Sequence, residues 1–222
     1  MFWEIKQNAV PKTVELYIYS EVVKEKVDHT TWETKQSETS ANFFRTKLDE
    51  CGEIDNINIY INSLGGSVLE GLGIYSQLKR CKAYKTVYID GFACSIASVI
   101  AMAGDKVVMP RNTLMMIHNP VATVCGNSEQ LRKSAEQLDV LNKASVQAYV
   151  TRSKGKATEE ELKKMMDNET YLTAMQCVEL GLADEFADEI DMTKAKRDIQ
   201  ENNFQQNALQ SITKFFGRNF IV

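Results

Sequence analysis

Apolar residues alternate with polar or aromatic ones over residues 13–19, and this pattern predicts the first β-strand of the chain. A polar stretch over 33–40, rich in Thr, Ser and Glu, separates the strand from the next apolar pattern. Residues 41–51 carry apolar side chains at helical spacing, and Gly52 follows where a left-handed C-terminal cap belongs. The chain therefore opens with a strand and a helix that are joined by a polar segment.

A unit of strand, glycine turn and helix follows, and it occurs twice before two further short strands. In chain order the predicted elements are a strand over 57–61, a turn at Gly65 and Gly66, a helix over 68–80, a strand over 86–89, a turn at Gly91, a helix over 95–103, and strands over 106–109 and 114–117. This order is typical of right-handed crossover units on a largely parallel sheet, so the predicted fold class is α/β.

The next part of the chain is mainly helical. A long amphipathic helix is predicted over 128–152. Its apolar positions include Leu131, Leu138, Leu141 and Val146. Capping boxes begin at Thr158 and Thr173, and each predicts the start of another helix. The helix after Thr173 is expected to end at Gly181, which suits a C-terminal cap.

Composition limits the classes of function. The chain has 222 residues, of which 44% are hydrophobic, and this is enough for one domain with a substantial core. From residue 188 the sequence is polar and then apolar at its end, so we expect a domain over 1–187 and a tail over 188–222. The net charge is −4 and no basic cluster occurs, so nothing favours nucleic acid or an anionic membrane as a partner.

The N-terminus lacks the basic residues and apolar run of a signal peptide. The longest apolar stretch, residues 96–103, is far too short to cross a bilayer, so we expect a cytoplasmic protein without membrane partners. Five cysteines without a Cys-x-x-Cys pair argue against a disulfide framework. With only two histidines, a metal site has little support.

The two histidines are His29 and His118, so a histidine general base must be one of them. His29 lies in a polar loop. His118 follows the apolar run 114–117 and precedes Asn119, so it lies at the exit of a buried strand. Functional groups gather at such strand ends in open α/β sheets. A histidine that merely completes the edge of the core is the open alternative for His118.

Ser95 begins an apolar helix after a strand, a glycine and several small residues. Backbone N–H groups and the positive helix end favour negative charge there, which suits a nucleophile. The spacing differs from the Gly-x-Ser-x-Gly elbow of α/β-hydrolases. A purely structural N-cap is the alternative for Ser95. We expect Ser98 to be buried within the helix and Cys94 to be a small buried thiol rather than the nucleophile.

The segment 61–68 carries Gly65 and Gly66 between a strand and a helix. A turn of this kind can cradle a phosphate, but neither the Walker motif nor the dinucleotide fingerprint is complete, and we expect no cofactor. The same turn offers free N–H groups to an oxyanion.

Four segments, in this order, resemble the motifs of the ClpP peptidase family. They are Tyr-Ile-Asn-Ser-Leu-Gly-Gly at 60–66, Gly-Phe-Ala-Cys-Ser at 91–95, Met-Ile-His-Asn-Pro at 116–120, and Tyr-Leu-Thr-Ala at 171–174 leading to Glu-Leu-Gly-Leu-Ala-Asp at 179–184. The resemblance covers roughly residues 13–187. It implies a ClpP/crotonase-type spiral of strand–turn–helix units with a protruding handle helix. The implied activity is that of a serine endopeptidase.

The resemblance also implies the catalytic residues. Ser95 is the implied nucleophile and His118 the implied base. The family's acidic triad position matches Glu169, two residues before Tyr171, and Asp167 is its nearby competitor. A glutamate can orient an imidazole, although its extra methylene changes the reach of the carboxylate.

The oxyanion hole and the substrate cleft are implied in the same way. Gly66 and Ile96 are the implied oxyanion donors. An extended peptide is expected to pair with two backbone segments, as in sheet-edge recognition. These segments include Ser67, Val68, Asn119 and Val121. The sequence departs from the family at two of these loops, with Leu64 in place of the usual Pro and Asn119 in place of the usual Gln.

The long helix matches the family's handle, which joins two rings face to face. The resemblance therefore implies a homo-oligomeric ring or double ring that acts on peptides or proteins. An AAA+ unfoldase partner is left open, because only about a dozen residues precede the first predicted strand. The short arm, the polar loop after the first strand and the tail look more like the phage-encoded ClpP-like proteases that mature virus heads.

Two other functions stay open at this point. A crotonase-type acyl-CoA enzyme has a related spiral and an oxyanion hole, but it does not need a serine paired with a histidine. A non-catalytic scaffold that kept the fold is the second alternative.

Overall fold

The computed structural model describes residues 3–4, 12–27 and 33–187. Its strands are β1 (Trp3–Glu4), β2 (Thr13–Ile18), β3 (Glu25–Val27), β4 (Thr34–Gln36), β5 (Asn56–Ser63), β6 (Tyr84–Cys94), β7 (Lys106–Pro110), β8 (Leu114–Ile117), β9 (Thr170–Thr173) and β10 (Glu185–Ala187). Its helices are α1 (Ala41–Cys51), α2 (Val68–Arg80), α3 (Ile96–Ala101), α4 (Ser128–Ser153), α5 (Glu159–Asp167) and α6 (Ala174–Glu179). His29 and the tail expected over 188–222 lie outside the described residues.

One largely parallel sheet organises these elements. Strands β2, β5, β6 and β7 pair in parallel in that order. Strand β8 also runs parallel to β6, and β9 pairs antiparallel with β8. The predicted α/β class is confirmed. Strands β3 and β4 form a separate antiparallel pair, in a region where the sequence pattern predicted only a polar stretch.

The turn predicted at Gly91 is wrong, because β6 continues through this residue to Cys94. The first part of β6 pairs with β7, and the part after Gly91 pairs with β8. The register between β5 and β6 shifts at the same place, between Ile61 and Ser63. A Cβ atom on Gly91 would lie 2.8 Å from the Asn62 Oδ1 atom, so the glycine permits a close approach within a bulged strand.

Helix bounds agree closely with the sequence pattern. Helices α1 and α2 have the predicted bounds, and α4 extends one residue further. Helix α3 is shorter than predicted, because the chain after Ala101 enters a turn. The capping boxes at Thr158 and Thr173 are both formed. Gly52 has the expected positive φ of 65°, but its ψ of −139° places it outside the left-handed helical region.

The long helix α4 has two different halves. Its C-terminal half contributes Val146, Ala148 and Tyr149 to the core. Its N-terminal half is exposed: 45% of Leu131 and 65% of Val140 are accessible. The handle expected from the resemblance is therefore an exposed half-helix anchored by a buried one. Among the described helices, none is both long and apolar enough to cross a membrane.

Helix α3 lies at the centre of the core, and all six of its residues are buried. It packs against α2 through Gly71, where a Cβ atom would lie 2.0 Å from the Ile96 Cγ1 atom. The absence of a side chain at Gly71 therefore sets the distance between these two helices.

Gly71→Ala should lower the free energy of unfolding by about 1–3 kcal/mol, because the added methyl group overpacks the contact with Ile96. Urea unfolding followed by circular dichroism measures this change. Ser76→Ala is the matched control, since Ser76 is exposed on the same helix. It should change stability by less than about 0.5 kcal/mol. Equal stabilities of wild type and Gly71→Ala would contradict the close helix packing.

Candidate active site

Ser95 lies at the junction of β6 and α3, with φ 55° and ψ −130°. It occupies the N-cap position of α3, but its side chain makes no capping hydrogen bond. Instead its Oγ atom lies 2.7 Å from the Nε2 atom of His118. A positive φ is costly for a residue with a side chain, and such conformations cluster at functional sites. The backbone thus presents the Ser95 hydroxyl to an imidazole rather than to the helix.

Two hydrogen bonds hold the Ser95 turn in this conformation. The Ser95 N–H donates to the Met116 carbonyl over 2.9 Å. The Ser98 hydroxyl donates to the Ser95 carbonyl over 2.5 Å and also contacts the Tyr149 hydroxyl at 2.7 Å. Both Ser98 and Tyr149 are buried, and burial raises the pKa of the Tyr149 phenol. The expected burial of Ser98 is confirmed, and its hydroxyl links α4 to the Ser95 turn.

His118 follows β8 directly, so the strand that anchors the Ser95 turn also carries the candidate base. The ring is half-buried. For the Ser95 hydroxyl to donate to Nε2, the neutral imidazole must carry its proton on Nδ1. Within the described part of the chain, Nδ1 makes no hydrogen bond. This nitrogen is the position at which an acidic residue would orient the ring.

The strand register relates the two candidate acids to His118. Strands β8 and β9 pair Ile117 with Thr170, so His118 directly follows, and Glu169 directly precedes, the last paired residues of these strands. Glu169 is exposed and has a φ of 48°. Its N–H donates to the Met166 carbonyl over 3.1 Å, but its side chain makes no hydrogen bond or ion pair to another described residue. Asp167 instead accepts a hydrogen bond from the Asn119 amide over 2.8 Å.

Residues 63–67 form a loop beside Ser95, which we call the oxyanion loop. A Cβ atom on Gly65 would lie 2.7 Å from the Ser95 Cβ and 3.2 Å from the Ile96 nitrogen. The N–H groups of Gly66 and Ile96 have no acceptor among the described residues. Two unpaired backbone donors near a serine are the components of an oxyanion hole.

The four residues expected to bind a peptide lie in different settings. Ser67 already uses both backbone groups, since its N–H donates to Val22 and its carbonyl accepts from Gly71. Val68 is the first residue of α2 and is half-buried. In the loop after β8, Asn119 is half-buried, while Val121 is 75% exposed. Ser67 therefore has no free backbone group to offer a peptide.

Cys94 precedes Ser95 but points away from this arrangement. It is buried, and its sulfur lies 3.9 Å from the Met116 sulfur. Burial raises the pKa of the Cys94 thiol, and the thiolate is the nucleophilic form. Cys94 is thus a poor nucleophile at neutral pH, as the sequence predicts.

The sequence pattern indicates no role for Tyr149 or Val22 in the site. Tyr149 lies three residues after Val146, and the helical spacing identifies it only as a core residue. Val22 forms an isolated parallel bridge with Gly66, and its partner cannot be identified from local pattern. In the described part of the chain, no group of three or more His, Cys, Asp or Glu side chains is arranged to hold a metal ion.

Comparison with known proteins identifies the family. The family model described as Clp protease matches residues 13–189. The ATP-dependent Clp protease proteolytic subunit of Ligilactobacillus salivarius is 30% identical over 171 residues, which cover 75% of this chain and 85% of that protein. The protein of the same name from Deinococcus radiodurans is 31% identical over 157 residues, which cover 69% of this chain and 74% of that protein. The chain belongs to the Clp protease family, and it is a serine-type peptidase.

A plant relative matches over a smaller share of its length. The ATP-dependent Clp protease proteolytic subunit 3, chloroplastic, of Arabidopsis thaliana is 31% identical over 137 residues, which cover 60% of this chain and 43% of that protein. The family match includes the Ser95 turn, the residue after β8 and the candidate acids, because all lie within 13–189.

Proposed function

We propose that this chain is an endopeptidase in which Ser95 is the nucleophile, His118 the general base and Glu169 the orienting acid. The observation that carries the proposal is the 2.7 Å contact between the Ser95 Oγ and His118 Nε2 atoms. It is supported by the conformation of Ser95, which turns the hydroxyl away from a capping role. Membership of the Clp protease family supplies the reaction class.

In the proposed reaction, Ser95 Oγ attacks the carbonyl carbon of a peptide bond while His118 Nε2 takes the hydroxyl proton. The carbonyl oxygen becomes an oxyanion that accepts hydrogen bonds from the N–H groups of Gly66 and Ile96. When the tetrahedral intermediate collapses, the carbon–nitrogen bond breaks and His118 returns the proton to the leaving amine. A water molecule then hydrolyses the acyl-enzyme by the same route in reverse.

The two alternative functions have less support. A crotonase-type enzyme does not require a serine in contact with a histidine, and the family model describes a protease. A non-catalytic scaffold has no need for the unpaired donors of Gly66 and Ile96 beside a serine of positive φ.

Ser95→Ala should reduce turnover of a fluorogenic peptide by several orders of magnitude, because it removes the nucleophile. The change removes one oxygen atom and should leave the folding and assembly of the protein intact. Cys94→Ala is the matched control and should keep most of the activity, since the Cys94 thiol is buried. Labelling by a fluorophosphonate should require Ser95. An active Ser95→Ala variant together with an inactive Cys94→Ala variant would move the nucleophile to Cys94.

Glu169→Gln should lower kcat strongly, whereas Asp167→Asn should matter less, because Glu169 and His118 adjoin the paired residues Thr170 and Ile117, while Asp167 is bonded to Asn119. Removing the acid of a triad has cost about 10⁴-fold in kcat elsewhere. Steady-state kinetics of both variants gives the ranking. The reverse order would assign the role to Asp167, and equal small effects would indicate a Ser–His pair without an acid.

The proposed assembly is a homo-oligomeric ring, or a pair of rings joined through the exposed half of α4. This half-helix carries Leu131 and Val140 in exposed positions, and Leu138 and Leu141 in half-buried ones. An exposed apolar surface of this kind indicates a partner. A two-fold contact between two such helices is self-complementary. Peptides or unfolded proteins are the proposed substrates, and an AAA+ unfoldase partner stays open.

Leu138→Glu should split the assembly into smaller species, because the added charge is placed twice at a two-fold contact. Those species should lose peptidase activity although Ser95 and His118 are unchanged. Sedimentation velocity with assays on each fraction tests both expectations. Gln137→Glu adds the same charge at an exposed neighbouring position and should preserve the assembly. A wild-type protein that sediments as an active monomer would exclude the proposed ring.

Two biological roles fit this peptidase. One is general degradation within a ring, and the other is the maturation of virus heads. The second is supported by the polar segment after β2, which looks like that of the phage-encoded ClpP-like proteases. The structure describes part of this segment as the β3–β4 pair. Portal and capsid genes beside the gene for this chain would favour head maturation, whereas genes for an unfoldase would favour general degradation. The domain over 1–187, the tail over 188–222 and the cytoplasmic location stay predictions.

A further inference from the structure

Residues 20–24, which we call the strap, lie along one edge of the oxyanion loop. The Val22 N–H donates to the Gly65 carbonyl over 2.7 Å, and the Val22 carbonyl accepts from the Ser67 N–H over 2.6 Å. A Cβ atom on Gly66 would lie 2.3 Å from the Val22 oxygen. The strap is therefore in direct contact with Gly66. It lies on the edge of the loop at which Gly65 and Ser67 form hydrogen bonds to Val22.

The position of the Gly66 N–H depends on this contact. The Gly65 carbonyl and the Gly66 N–H belong to one planar trans peptide unit, so they point in opposite directions. Because the Gly65 carbonyl and the Ser67 N–H both point to Val22, the Gly66 N–H points to the other edge of the loop. A shift of Val22 would move all three residues together and would re-aim this donor.

One side chain fixes the strap from behind. The Thr39 hydroxyl donates to the Glu21 carbonyl over 2.8 Å and accepts from the Val23 N–H over 3.1 Å. These are the backbone groups on either side of Val22 that face away from the oxyanion loop. A single hydroxyl thus takes the place of a neighbouring strand on the outer edge of the strap. Thr39 is 1% exposed, so water does not compete for these groups.

The hydrogen-bond capacity of Thr39 is fully used in this arrangement. Its single proton goes to the Glu21 carbonyl, so the Ser37 hydroxyl, 2.8 Å away, must donate to the Thr39 oxygen. The Ser37 oxygen in turn accepts from the Thr39 N–H over 3.2 Å. This closed pair of hydroxyls holds the Thr39 side chain in one orientation.

We propose that Thr39 is a positioning residue for the oxyanion hole. Thr39 acts through the strap to fix the Gly66 N–H opposite Ile96. The inference rests on the proposed oxyanion role of Gly66. Thr39 does not touch the reacting atoms; it holds Val22, and Val22 holds the loop. Its loss should weaken binding of the transition state more than binding of the substrate, because only the transition state carries the full charge on the oxygen.

The test compares Thr39→Val, which removes the hydroxyl at nearly constant volume, with Thr39→Ser, which keeps it. Deletion of an oxyanion donor costs about 10²–10³-fold in kcat. Since Thr39→Val should displace the donor rather than delete it, we expect kcat to fall by about tenfold with KM little changed. Affinity for a peptide boronate, whose tetrahedral adduct places an oxygen in the hole, should fall by a similar factor. Thr39→Ser should restore both values.

A second measurement separates positioning from general damage. An uncleaved peptide should bind the Ser95→Ala variant and the Ser95→Ala/Thr39→Val double variant with the same affinity within about twofold, because ground-state contacts do not need the hole. Ser40→Ala is the matched control. Ser40 is equally buried and adjacent, but its hydroxyl caps α1 by accepting from the Phe43 N–H. It should lower the melting temperature without changing the ratio of boronate to peptide affinity.

Two results would overturn the inference. One is a folded Thr39→Val enzyme with wild-type kcat and boronate affinity. The other is an equal loss of boronate and peptide affinity, which marks a purely structural role. If Thr39→Val fails to fold, Ser37→Ala replaces it and should give a smaller loss of the same selective kind. An unaffected Thr39→Val enzyme alongside an inactive Ser95→Ala variant refutes only the positioning role, whereas an active Ser95→Ala variant refutes the proposed function.

Discussion

The hydrogen bond from the Ser95 N–H to the Met116 carbonyl joins the two halves of the candidate site. It extends the pairing of β6 with β8 by one residue, so the turn that follows β6 is fixed to the strand that leads to His118. The positive φ of Ser95 is sustained by this contact and by the Ser98 hydroxyl. Together with the β6–β8 ladder, this bond fixes the Ser95 turn relative to the residue that follows β8.

This arrangement depends on a corner within β6. The first part of β6 pairs with β7 and the last part pairs with β8. Gly91, between these two parts, lets the backbone approach the Asn62 side chain. The buried half of α4 braces the corner through the Tyr149 and Ser98 hydroxyls. The exposed half of α4 and the Ser95 turn are thereby joined through one packed unit.

Local signals explain what the sequence could predict. Helices α1, α2 and α5 follow the N-caps Ser40, Ser67 and Thr158, whose side chains accept from the first turn, and such caps are visible in the sequence. Pairing between distant segments is not visible in this way. The continuation of β6 past Gly91 and the bridge of Val22 to Gly66 depend on partners that local periodicity does not reveal. Likewise, a family motif could suggest Glu169, but the pairing of β8 with β9, which His118 follows and Glu169 precedes, had to come from the structure.

The antiparallel pairing of β8 with β9 has a consequence for the newly made chain. Strand β9 begins at Thr170, more than fifty residues after β8 ends at Ile117. During synthesis Ser95 and His118 leave the ribosome long before the strand that follows the candidate acid, and non-local strand pairing of this kind is slow to form. A nascent or truncated chain therefore has its serine and histidine but not the strand that completes their surroundings. Chain order itself delays completion of the candidate site until the fold is nearly finished.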